Sequence, residues 1–330
     1  MMLRMAHIYT EWYSMARMMM LLLPRTQRQN ASFVHDNNSD STESHPAAAC
    51  LVADLKITRL NTKMLKAIIA TLTCFTLTSC SGGVNLFTKQ QDIQLGQQVQ
   101  AEIAKDPAHY PVLNNQTVRQ YVQGIVDKIV QSPNVKNKDF HYNVTVIHDD
   151  KTVNAFTIPG GPIYVYTGLM KFVDNEATLA GVLAHEVTHA DHRHSTQQMT
   201  KEYGVQAVTA LALGANNGLA VQIATSLAGN LSMLKFSRDD ETEADATSFD
   251  DLMTIPGRPW YPAAINYFEI KTLGNGSKQP DFLTKLYATH PPSQERLDAI
   301  KAKAKKAGLA EPTEAQLNTA QYQRYRSMLP

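Results

Sequence analysis

Within residues 183–195, "LAHEVTHADHRHS", four histidines fall in ten positions: His185, His189, His192 and His194. On a helix, residues four apart are separated by about 6 Å along the axis and about 40° around it, so His185 and His189 can converge on one metal ion. Glu186 follows the first of them, placed to take a proton from a water that the metal acidifies and to pass it to a leaving amine. That chemistry is metal-assisted hydrolysis. His192 is harder to place: three residues past His189 it falls on nearly the same face, yet a His189/His192 pair would leave Glu186 badly positioned as a base. His194 comes about half a turn round the helix from His185 and is expected to face elsewhere. The stretch also departs from HExxHxxGxxH, with His192 at the glycine position and Ser195 at the third histidine. A third ligand must come from another part of the chain.

The cysteines are Cys50, Cys74 and Cys80, so between Ser81 and Pro330 only nitrogen and oxygen ligands are on offer. "FSRDDETEADATSFD" at 236–250 is the best source, although it holds more carboxylates than composition can sort. Glu241 and Asp245, four apart, share a helical face; Glu241 could reach the ion while Asp245 hydrogen-bonds a ligand histidine from behind. Glu243, about 200° from Glu241, is expected to point away. The plain alternative is a solvated acidic helix.

These residues need elements to hold them. Apolar spacing predicts helices over 92–104 and 116–131, with Val118, Tyr121, Val122, Ile125, Val126 and Ile129 on one face of the second. Alternation through Phe140, Tyr142, Val144 and Val146 reads as a half-buried strand, and two β-prone runs around Pro159-Gly160-Gly161-Pro162 read as a hairpin or tight connection. The histidine helix is expected to begin near Asp174. Residues 203–234 contain no Asp, Glu, Lys or Arg and are broken by "GANNG" at 214–218, which suits buried helices, a flap over the site or a membrane-contacting hairpin. The expected class is α+β: a mostly helical domain over 91–310 with a small β-sheet edge, which the resemblance described below implies is zincin-like, preceded by a tether at 80–90 and followed by a C-terminal tail at 311–330.

From Met64, "MLKAIIATLTCFTLTSC" has the lysine, apolar run and small residues of a secretory signal, giving a signal peptide at 64–79. Its last four residues resemble a bacterial lipobox, which makes Cys80 the expected lipidation site. Residues 1–63, without sustained periodicity, are expected to be a gene-model extension or a disordered leader. The formal net charge of +1 supplies no field for nucleic acid, and no nucleic-acid partner is expected.

HEVTH followed by Ser237-Arg238-x-x-Glu241-x-x-Ala244-Asp245 resembles the HtpX and CAAX prenyl protease superfamily of gluzincin zinc metallopeptidases. The lipobox, "VNAFTIPGGPIYVYTGLM" and "THPPSQER" at 289–296 bring the layout close to its periplasmic members. The resemblance covers roughly 90–300. It implies one Zn2+ on His185, His189 and Glu241, with Glu186 as general base and Asp245 behind a ligand. It also implies that His290, supported by Arg296, approaches the zinc and either stabilises the oxyanion or blocks the water position. Asn154-Ala155-Phe156 matches the substrate-aligning edge strand, to which a peptide adds as a further strand. The implied function is a zinc endopeptidase of the bacterial envelope, outer membrane by the serine after Cys80, that cuts unfolded or misassembled polypeptides and is held to the membrane by its lipid. The competing reading is an outer-membrane protein assembly factor or holdase, in contact with the assembly machinery, whose protease site is gated shut by His290. The transmembrane helices and repeat domain of other members are not seen in the sequence, so partners recruited by those parts are not carried over.

Overall fold

The computed structural model describes residues 84–330, apart from 213–216, 231–234, 258 and 274–280. The leader, the signal-like stretch, Cys80 and most of "GANNG" lie outside the described residues. Two helices come first, α1 (Lys89–Ala104) and α2 (Gln116–Val130), each started by a side-chain cap, from Thr88 and Asn115. A three-stranded sheet follows, from β1 (Val144–Ile147), β2 (Ala155–Thr157) and β3 (Ile163–Tyr166). Its order is β1-β3-β2, with β1 parallel and β2 antiparallel to β3, so β2 is an edge. The connection between β2 and β3 is the expected tight turn: Gly160 and Gly161 take φ of 78° and 108°, values costly for any residue with a Cβ.

After a short α3 (Thr167–Phe172) comes the histidine helix, α4 (Glu176–Asp191), capped by Asn175, whose side chain accepts from Thr178 N–H. Every residue of α4 is buried, which makes it the axis of the molecule rather than a surface helix. It packs against α2, β2, α7 (Arg238–Thr254) and α8 (Ile265–Leu273). Gly181 lets α8 approach: a Cβ there would lie 2.9 Å from Ile265 N. The first turn of α4 is clamped from elsewhere. Buried Glu176 accepts hydrogen bonds from Tyr121 Oη (2.7 Å), Trp260 Nε1 (2.7 Å) and Asn318 Nδ2 (2.9 Å).

Between α4 and α7 lie α5 (His194–Ala212) and α6 (Asn217–Gly229); the charge-free run supplies the second half of α5 and all of α6. Among the described residues no helix is long and apolar enough to cross a membrane. The segment expected as a tether docks on α5: Asn85 Nδ2 donates to Thr196 Oγ1 and Leu86 N–H to Thr200 Oγ1. After α8, a 3-10 turn (Asp281–Leu283) leads into α9 (Thr284–Thr289), α10 (Gln294–Lys306), α11 (Glu314–Leu317) and α12 (Thr319–Arg326). The last two correct the expectation of a tail over 311–330. Tyr322 is fully buried with its hydroxyl on Met170 O, and Tyr325 stacks on Tyr121 at 3.7 Å. Short aromatic and amide-bearing pieces without long periodicity read as tail, and only their docking partners make them part of the body.

Candidate metal centre

Local sequence explains where each functional side chain sits. His185, Glu186 and His189 occupy the last two turns of α4, whose small and apolar residues allow burial on all sides. Helix α7 begins at a capping box, Ser237 with Asp240, which sets Glu241 in the first turn, three residues past the helix start. His290 is the C-cap of α9, and Pro291-Pro292 forbid the helix from continuing past it.

These elements bring four ligand-type side chains together: one atom from each of His185, His189, Glu241 and His290 lies within 4.8 Å of the others, and all four residues are buried. His185 Nε2 is 2.9 Å from His189 Nε2 and 3.5 Å from Glu241 Oε2. His189 Nε2 is 3.4 Å from Glu241 Oε1, and His290 Nδ1 is 2.9 Å from the same oxygen. A tetrahedral ion with ligands near 2 Å has edges of about 3.3 Å, so this donor set fits a small dication without rearrangement. Beside it, Glu186 Oε1 is 3.4 Å from His290 Nε2, while Glu186 Oε2 is buried with no hydrogen-bond partner among the described residues. An unpaired buried carboxylate oxygen costs free energy unless a water or substrate proton comes to it.

Behind the ligands stand two different supports. Asp245 Oδ1 is 2.9 Å from His185 Nδ1, as its spacing from Glu241 predicts. Arg296 grips Asp245 with both nitrogens of a fork, Nε at 2.6 Å and Nη2 at 2.8 Å, and reaches Glu241 Oε2 with Nη1 at 2.8 Å. Arg296 Nη1 also donates to Pro291 O, which ties down the loop carrying His290. On the other side, His189 stacks on Phe236 with ring centroids 3.8 Å apart, and its Nδ1 lies 2.8 Å from His194 Nδ1.

His194 therefore corrects the sequence expectation: it is buried against the ligand His189, not turned away. The reason is that α4 stops at Asp191. Arg193 takes φ of 61°, and α5 restarts at His194 in a new direction, so counting 100° per residue past His192 fails. His192, the C-cap, stays outside the four-residue cluster as expected. Glu243 does point away from that cluster, but toward His194 Nε2 at 3.3 Å. Phe236 was not singled out in the sequence; its place just before the Ser237 cap was the available signal.

Charge follows the same asymmetry. Burial works against a charged His185, but Asp245 and Glu241 outweigh it and push the imidazole up to about 10 in the ion-free protein. Burial holds His189 well below its ordinary value, only partly opposed by Glu241. Burial would raise Glu241, yet His290, His185 and His189 together draw it well below the carboxylate range. Glu186 is raised, by burial first, against the pull of His290 and His185.

The strand expected to align substrate is the sheet edge. Asn154 precedes β2 and is fully buried, yet neither its Nδ2 nor its Oδ1 has a hydrogen-bond partner among the described residues. It faces an open groove of about 420 Å3 that also touches Tyr110, Lys285 and Thr289. Ala155, one residue on, lines a small cavity of about 20 Å3 with Val182, Glu186, Phe268, Glu269 and His290. Phe156 turns the other way, stacking on Tyr164 at 4.8 Å.

A buried nitrogen–oxygen donor set on a helical HExxH, completed from a downstream helix and bordered by a sheet edge, defines a metallopeptidase-type centre. Residues 116–304 match Peptidase family M48, and the chain belongs to that family. It is similar to Metalloprotease YcaL of Escherichia coli (strain K12), 32% identical over 172 residues, which are 51% of this chain and 63% of that protein. The Beta-barrel assembly-enhancing protease of the same organism is 28% identical over 199 residues, 57% of this chain and 39% of that protein. Metalloprotease LoiP, also of Escherichia coli (strain K12), is 30% identical over 181 residues, 53% of this chain and 67% of that protein. The chain thus spans less than two thirds of the first two of these relatives. Membership in a metalloprotease family implies a divalent metal, and the His185, His189, Glu241 and His290 cluster is where one fits.

Proposed function

We propose that the protein is a zinc-dependent endopeptidase of the bacterial cell envelope that cuts unfolded or misassembled polypeptides. The observation that carries this is the donor set of His185, His189 and Glu241, with His290 beside it and an unpartnered, buried Glu186 oxygen next to it. Imidazole and carboxylate ligands at tetrahedral spacing suit Zn2+ among the common dications. Zinc, when bound, supplies Lewis acidity toward a carbonyl and a water. Glu186 takes the proton of the attacking water and returns it to the leaving amine. His290, beside Glu186, donates to the oxyanion that develops on the scissile carbonyl. An extended peptide lies along β2, with the free amide of Asn154 answering its main chain and Ala155 and Phe156 continuing the edge. Asp245 and Arg296 orient His185 and Glu241.

Glu186→Gln should keep zinc and lose casein cleavage by at least about a thousandfold, the size expected for removing a general base together with its charge. Cleavage by the purified variant at the wild-type rate would refute the assigned base. Envelope location is supported by the lipobox-like residues ending at Cys80 and by the similarity to the Beta-barrel assembly-enhancing protease of Escherichia coli. A Cys80→Ser protein should leave the membrane fraction.

A second reading, an assembly factor or holdase for outer-membrane proteins with a habitually closed site, is favoured by one feature: His290 Nδ1 sits 2.9 Å from Glu241 Oε1 and 3.4 Å from His185 Nε2, at the position a water would take. Casein cleavage that appears only in His290→Ala, and not in wild type, would favour that reading; loss of cleavage in His290→Ala would favour the oxyanion role.

A further inference from the structure

The turn that ends α4 carries a second group of ligand-type side chains that the proposed hydrolysis leaves unused. His192 Nδ1 is 3.2 Å from Glu243 Oε1, and His194 Nε2 is 3.3 Å from Glu243 Oε2. One ligand atom from each of the three lies within 4.8 Å of the others. His194 is buried, whereas the side chains of His192 and Glu243 are 14% and 36% exposed, so an ion could enter from solvent and keep water in its remaining positions. A broad groove with His192, Asn134, Lys136, Thr247 and Asp250 on its walls opens beside them. The negative charges of Asp240 and Glu243 both act on His194.

We propose that His192, His194 and Glu243 form a second, weaker site for a transition-metal dication, with Zn2+ the best-fitting ion. Two imidazoles and one carboxylate are a borderline donor set suited to zinc and poorly suited to calcium or magnesium, which prefer oxygen. The two imidazole–carboxylate spacings, 3.2 and 3.3 Å, are close to the edge of a tetrahedral zinc site. Helix geometry also keeps the two sites apart: His192 and His194 flank the αL residue Arg193 and project beyond the end of α4, so neither can join His185.

Metal-stripped full-length protein, dialysed against rising free zinc and read for bound zinc per chain, tests this directly. Wild type should bind two ions, the second at least about tenfold more weakly. His192→Ala should bind one, with an unchanged thermal midpoint to show that it is folded. Glu241→Ala should lose the tight ion and keep the weaker one, so failure of the first site is distinguishable from failure of the second. One ion per wild-type chain at the highest zinc, or two in His192→Ala, overturns the site.

Discussion

His185 and His189 stand one turn apart on a single buried helix, and they are held in opposite ways. Glu241 lies beside both, but only His185 has a full charge behind it: Asp245, which Arg296 locks together with Glu241. Behind His189 stand a ring and an imidazole: Phe236 stacked on one side, His194 against Nδ1, and partly exposed Glu243 beyond that. Burial is the same for both, so the ion-free imidazoles diverge only because of their neighbours, one pushed up to about 10 and the other held well below its ordinary value. A buried charged support is expensive to break, since removing one partner strands the rest, whereas a packed and neutral support loses only its own bond.

That contrast can be broken by ranking substitutions. The largest effect is expected at Arg296→Leu, which leaves Asp245, Glu241 and Glu269 buried without the guanidinium that joins them; it should cost roughly 3–5 kcal/mol of stability and most of the bound metal. Urea denaturation and metal content would measure both, and a variant as stable as wild type would end the argument. Asp245→Asn keeps the shape but removes the charge behind His185, and zinc affinity by chelator competition should fall toward the upper part of the 10–100-fold range for such supports. His194→Ala should fall near the lower end, about tenfold, with partial rescue by His194→Gln. If it costs more zinc than Asp245→Asn, the two sides have been ranked wrongly. Glu243→Gln, at a partly exposed position, should change tight zinc binding least, by no more than about threefold.

Much of this site could be read from spacing. His185, Glu186 and His189 follow from helical geometry, and Glu241 with Asp245 from the same rule applied to a second helix. The strand that carries Val144 and Val146, the Gly160-Gly161 turn and the entry of the histidine helix also stand where local patterns put them. What escaped was set by breaks and by distant contacts. Nothing in "ADHRHS" announces that a non-glycine residue, Arg193, takes a left-handed conformation and sends His194 back to the ligands. Phe236 has the look of any core aromatic until it is found under His189. The parallel pairing of β1 with β3, and the docking of Tyr322 under Met170, join residues far apart in the chain, which periodicity cannot report.

The clamp on Glu176 has a consequence for the moment at which the enzyme comes into being. Its partners span Tyr121 to Gln321, the last of them 145 residues downstream, and the four-residue cluster itself is completed only at His290. Long-range contacts of this kind form after local helices, and a chain still leaving the ribosome has not yet presented them. A growing chain therefore carries His185, Glu186 and His189 long before the rest of the cluster can close around them. The assembled centre arrives with the final helices, so a truncated copy is an inert polypeptide rather than an unguarded protease.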